Sequence, residues 1–143
     1  LQIASRMHRM QPEYNLALGQ CYMQLNNIDE AITYFGNVVR VRPKNINGWL
    51  ELLKCLLTGG LNEEGAEYSD FAFEQTDQKP IFLFYKSMFL LAAGKIKEGI
   101  LYLEKGMNIN PKLIKKFLEL NPSILQQQQI VELIARYKKR KFK

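Results

Sequence analysis

The sequence predicts an all-α fold: a solenoid of stacked antiparallel helix pairs, closed at its C-terminal end by further helices. Three observations predict it. A 34-residue pattern over 12–45 recurs without insertion over 46–79 and 80–113, so that Asn15, Trp49 and Leu83 share one place and Glu30, Glu64 and Glu98 another. Inside each unit, runs of apolar residues at helical spacing are broken by a turn, at Asn26-Asn27, Gly59-Gly60 and Gly94. After Pro111 the pattern stops and two more apolar helical segments follow. A repeat of this length builds a stack in which each pair is stabilised by its neighbours, and such a stack works by presenting a surface to a partner.

In order along the chain, residues 1–11 carry Leu1, Ile3, Ala4, Met7 and Met10 at spacings that one side of a helix can hold. They fall where each unit has its second helix, so they are expected to be the end of a preceding partial repeat. In the first full unit, Pro12 suits a first helical turn, and Leu16, Leu18, Gly19, Tyr22, Met23 and Leu25 supply one helical periodicity. Asn27 is placed to cap the next helix with Glu30 three residues on, and Asp29 and Glu30 meet the positive end of its dipole. Ala31, Ile32, Phe35, Val38 and Val39 form the second apolar face, and Pro43 ends it, having no N–H to give and disfavouring helix at the residue before it.

The second unit has Trp49, Leu52, Leu53 and Leu56 in its first helix. The third has Leu83, Ser87 and Leu90, then Gly99, Leu103 and Pro111. Small residues are paired where the helices of a unit cross: Gly19 with Ala31, Gly65 opposite the larger Leu53, Gly99 with Ser87. This is a trade of volume. Residues 114–143 are expected to cap the stack. A short helix through Leu113, Ile114, Phe117, Leu118 and Leu120 ends at Asn121-Pro122, and another runs from Ile124 to Tyr137, with the four glutamines 126–129 helix-compatible.

The set Leu18-Gly19-x-x-Tyr22, Ala31-x-x-x-Phe35 and Pro43 resembles the tetratricopeptide repeat, with Asn15 at the tryptophan place. The second unit is degenerate, holding Trp49 but Gly65, Ser69 and Asp77 at the later marks. The resemblance covers 12–113 and implies a right-handed twist of the solenoid and a protein-binding inner wall. One groove known in the family clamps a C-terminal carboxylate with cations. The matching places here hold Leu16, Gln20, Glu51, Ile81 and Tyr85, so that activity is set aside.

Composition fits a soluble protein of ordinary charge content, 24% of 143 residues, with no apolar run near the ~20 needed to cross a bilayer. LQIASRMHRM has no signal-peptide stretch, and a cytoplasmic location is expected. Because the first residue is Leu1, a fragment or processed product is expected. Cys21 and Cys55 lie 34 apart, at one place in adjacent units and too far apart to bond; both are expected to be buried, reduced hydrophobes. The only histidine is His8, and no nucleophile–base set, metal-ligand spacing or phosphate loop is present, so neither catalysis nor a cofactor or metal is expected. Glu63-Glu64 is explained by a helix start rather than acid–base chemistry.

The functional expectation is a non-enzymatic interaction module, acting as a monomer or weak homodimer and seating a peptide or helix of a partner protein. Helical phase assigns to the inner wall Glu13, Leu16, Ala17, Gln20 and Gln24, then Asn47, Leu50, Glu51, Lys54 and Thr58, then Ile81, Phe84, Tyr85, Met88 and Ala92. The wall grows apolar toward the third unit. Two readings of that end stay open: an exposed aromatic and methionine patch for a partner, or a patch covered by this chain's own C-terminal helices. The net charge of +6 belongs to Arg136, Lys138, Lys139, Arg140, Lys141 and Lys143, which leave 14 bases and 14 acids over 1–135. With Tyr137 and Phe142 among them, these cations could hold phosphates or an anionic surface. Solvated charges at a helix C-terminus are the other reading, and nucleic acid is the disfavoured partner.

Overall fold

The computed structural model describes residues 11–141. Residues 1–10 of the expected partial repeat (1–11), with His8, and the terminal Phe142 and Lys143 lie outside the described residues, as do the side chains of Arg140 and Lys141. The described chain is an all-α solenoid. Helices α1 (Pro12–Gln24) and α2 (Ile28–Val41) form the first pair, α3 (Ile46–Thr58) and α4 (Asn62–Gln75) the second, α5 (Ile81–Ala92) and α6 (Ile96–Ile109) the third. A 3₁₀ turn, η1 (Pro111–Leu113), leads into α7 (Ile114–Leu120), and η2 (Pro122–Gln126) leads into α8 (Gln128–Lys141).

The period is visible in the backbone. The second helices start at Ile28, Asn62 and Ile96, and the turns before them each hold a left-handed residue at the same place: Asn26 (φ 58°), Gly60 (φ 72°) and Gly94 (φ 82°). Each turn satisfies the end of the preceding helix in the same way, with Asn27 N–H donating to Tyr22 O (2.8 Å), Leu61 N–H to Leu56 O (2.9 Å) and Lys95 N–H to Leu90 O (2.9 Å). Glycine takes the left-handed conformation freely and asparagine tolerates it, which is why these residue types recur there. Only the first of the three second helices has the expected cap, Asn27 Oδ1 accepting from Glu30 N–H at 3.4 Å; Leu61 and Lys95 cap without side-chain bonds.

Two apolar clusters run through the stack. The first joins Ala31, Phe35, Trp49, Leu53, Leu56 and Phe89 across the pairs, and the second joins Phe84, Met88, Leu103, Phe117, Ile124 and Ile130. Asn15, at the tryptophan place of the first unit, is buried but satisfied: its amide donates to Gln11 O (2.9 Å) and accepts from Asn37 Nδ2 (3.2 Å). Trp49, in the next unit, donates its indole N–H to Pro43 O (2.6 Å).

Packing departs from the sequence reading in three places. The space over Gly65 is filled by the Phe89 ring of α5, with three ring atoms within 2.5 Å of where a Cβ would stand, and not by Leu53 of its own unit. Small size at Gly65 therefore joins the second pair to the third. The space over Gly99 is likewise held by Leu91 and that over Gly19 by Phe35, rather than by Ser87 and Ala31, although the Gly99 carbonyl does accept the Ser87 hydroxyl at 2.6 Å. Cys55 is fully buried in the first cluster, whereas Cys21 is exposed, on a helix that no described helix precedes. The last expected helix is also divided: Gln127 is extended (φ −83°, ψ 110°), so the 3₁₀ turn η2 and α8 are separate.

Candidate partner-binding surface

Most residues assigned to the inner wall lie on α1 and α3. Ala17, Gln20, Gln24, Asn47, Lys54 and Thr58 are exposed, and Leu16, Leu50, Glu51 and Ile81 are half-buried. Glu13 is exposed and paired with Arg42 Nη1 at 3.0 Å. Its carboxyl is held below the usual range by its own backbone N–H and, after it, by the Arg42 charge.

The third unit does not offer the patch that helical phase assigns to it. Phe84, Tyr85 and Met88 are 1%, 2% and 0% exposed. The Phe84 ring lies 5.8 Å from that of Phe117 and tilted to it, with Gly106 beneath, and Met88 sits in the cluster that Ile124, Ile130 and Leu133 complete. The cause is elementary: the last pair of a stack has an apolar face with no further pair to cover it, and α7, η2 and α8 supply the cover.

What stays open is bounded by that cover. A recess of about 220 Å³ is lined by Leu50 and Lys54 from α3, Ile81 and Tyr85 from α5, and Lys116, Glu119 and Leu120 from α7. Leu16 and Leu120 pack against the same cluster that Leu50 and Ile81 border, so half-buried aliphatic side chains lie along this face with charges beside them. Burial first, and then the nearby Glu51 carboxylate, push the Tyr85 hydroxyl above its ordinary pKa. The same two causes push the Cys55 thiol up to about 12. The α7 residues were missed from sequence because α7 has no counterpart in the repeat to fix its phase. The apolar residues Leu113, Ile114, Phe117, Leu118 and Leu120 mark the helix, but they do not say that Lys116, Glu119 and Leu120 face the recess.

The basic segment is helix rather than loose tail. Arg136, Lys138 and Lys139 are exposed on α8, and Tyr137 between them turns inward, donating its hydroxyl to Glu104 O (3.3 Å) and bonding Asn108 Oδ1. The backbone helix continues through Arg140 and Lys141. No described helix is long and apolar enough to cross a membrane.

Residues 12–45 match the family model described as the tetratricopeptide repeat. Over this stretch the chain is similar to the tetratricopeptide repeat family. This segment contributes α1 and α2, and a tetratricopeptide repeat is in general a protein-interaction scaffold. No curated protein matches the chain.

Proposed function

We propose that this chain is a non-enzymatic interaction module that seats an apolar peptide or helix of a partner protein across the face of α1, α3 and α5, with α7 as the far wall. The observation that carries this reading is the recess in which Leu50, Lys54 and Ile81 of the first helices meet Lys116, Glu119 and Leu120 of the cap. Half-buried leucine and isoleucine offer apolar area to an anchor side chain, and cations and a carboxylate at the edge set its orientation. Leu16, Gln20, Gln24 and Asn47 extend the face toward the first unit.

The test is capture from nuclease-treated lysate of the source cells, followed by affinity measurement on the protein retained. The native chain is compared with Leu50→Glu/Ile81→Glu and with Lys138→Glu/Lys139→Glu, each checked by circular dichroism. A protein held by the native and tail variants but lost from the Leu50→Glu/Ile81→Glu chain supports the face. Retention indifferent to that variant refutes it. Loss confined to the Lys138→Glu/Lys139→Glu chain, or to nuclease treatment, makes the basic helix the working element instead.

A further inference from the structure

A second concavity shares no lining residue with the first, and nothing in the interaction reading uses it. Its volume is about 480 Å³, within the roughly 300–1,000 Å³ range of small-ligand sites. Met107 and Asn108 from the end of α6, Pro111 and Lys112 from η1, Ile114 from α7, and Ile134, Tyr137 and Lys138 from α8 line it. Met107 and Ile134 are buried and form its floor, whereas Lys112 and Lys138 are exposed.

Charge here is one-sided. Both charged residues of the lining are lysines, and Glu104 lies with Arg136 on an adjoining recess of about 130 Å³ that shares Asn108 and Tyr137 with it. Over 111–141 the sequence holds eight bases (Lys112, Lys115, Lys116, Arg136, Lys138, Lys139, Arg140, Lys141) and two acids (Glu119, Glu132). Over 1–110 it holds 11 bases and 12 acids. The C-terminal segment is thus the basic part of the chain, and Lys112 and Lys138 are the members of it that line this recess.

We propose that this recess binds an anionic amphiphile, a single carboxylate on an aliphatic body. Aliphatic carbons would lie on Met107, Ile114, Ile134 and the Tyr137 ring, where a flexible thioether adapts to an irregular chain. The carboxylate would stay at the mouth between Lys112 and Lys138, whose ammonium groups remain hydrated while their stems cover the apolar wall. A neutral ligand leaves the two cations without a use. A cationic one meets them unfavourably.

Amide shifts in the ¹H–¹⁵N spectrum of the full chain test this with dodecanoate, kept below its micelle-forming concentration, and with dodecyltrimethylammonium as the probe of opposite charge. Dodecanoate is expected to shift Asn108, Lys112, Ile114, Ile134, Tyr137 and Lys138 and to bind at least tenfold more tightly than the cationic probe. Lys112→Glu/Lys138→Glu is expected to erase that preference, and Ile114→Trp to fill the recess and abolish binding with both lysines in place. The same spectra report whether each variant is folded. Equal binding of the two probes, shifts centred instead on Leu50 and Ile81, no shifts at all, or indifference to the charge reversal would each overturn the proposal.

Discussion

Replacing Gly65 by alanine separates two roles that a helical glycine can have. An ideal Cβ at Gly65 would stand 2.2, 2.4 and 2.5 Å from three carbons of the Phe89 ring. Carbons in contact sit about 3.5–4.0 Å apart, so more than about 1 Å of separation has to open. Phe89 is 0% exposed, and its ring has nowhere free to go. Overpacking of this kind costs about 3 kcal/mol, the upper end of the usual range. Alanine returns about 1 kcal/mol of helix propensity. The net expectation is a loss of about 2 kcal/mol, or about 6 °C in Tm at roughly 3 °C per kcal/mol for a chain of this size. Gly36 supplies the control, because it is also helical but an added Cβ meets nothing within 4 Å. Gly36→Ala is therefore expected to stabilise by about 0.5–1 kcal/mol. Urea unfolding followed by far-ultraviolet circular dichroism measures both. Trimming the ring with Phe89→Leu in the Gly65→Ala background is expected to cost less than the two single changes added together. A Gly65→Ala chain as stable as the parent, or more so, would refute the close-packing account.

Phe117→Ala removes the ring that covers Phe84 and Met88, and is expected to cost about 3–5 kcal/mol with a rise in dye binding to exposed apolar surface, read by thermal melts and anilinonaphthalene sulfonate fluorescence. Asn27→Ala loses the one side-chain cap among the second helices, a long and exposed bond, so about 0.5–1 kcal/mol is expected in the same urea assay. A disulfide reagent should label Cys21 at once in the native chain and Cys55 only on unfolding, the result expected of one exposed and one fully buried thiol. Stability should fall as pH rises from about 9 toward 12. The unfolded Cys55 thiol ionises near its ordinary value of 9.0 while the folded one holds its proton to about 12, and Tyr85 is shifted in the same direction. Urea midpoints across that range, with Cys55→Ala reducing the slope, check it.

Turns and helix boundaries were legible in the sequence because they depend on local chemistry. Asn26, Gly60 and Gly94 stand 34 apart, and the backbone needs a left-handed residue at each of those places. The Asn27 cap and the acidic first turns at Asp29-Glu30 and Glu63-Glu64 were readable for the same reason. Neighbours were not legible, because a period assigns a place in the unit and says nothing of what lies against it. Cys21 and Cys55 occupy the same place, yet one is exposed and the other buried. Leu16, Leu50 and Phe84 likewise share a place, and only Phe84 lies beneath the cap. Helical phase puts Phe84, Tyr85 and Met88 on the wall because it tells one side of α5 from the other, whereas α5 is covered on both. The break at Gln127 has no mark in the sequence, because four successive glutamines carry no turn signal.

The cover that Phe117, Ile124 and Ile130 lay over the third pair also bears on how copies of this chain can meet. Repeating modules with two bare apolar ends are complementary to themselves, and a head-to-tail contact that does not close on itself grows into a filament. Here the C-terminal end is sealed by the chain's own helices, with Ile130 and Phe117 both 0% exposed. One of the two surfaces that such growth requires is thereby spent inside the molecule. Removing residues 114–141 is therefore expected to bare the outer face of the third pair, an apolar surface on which another copy could stack.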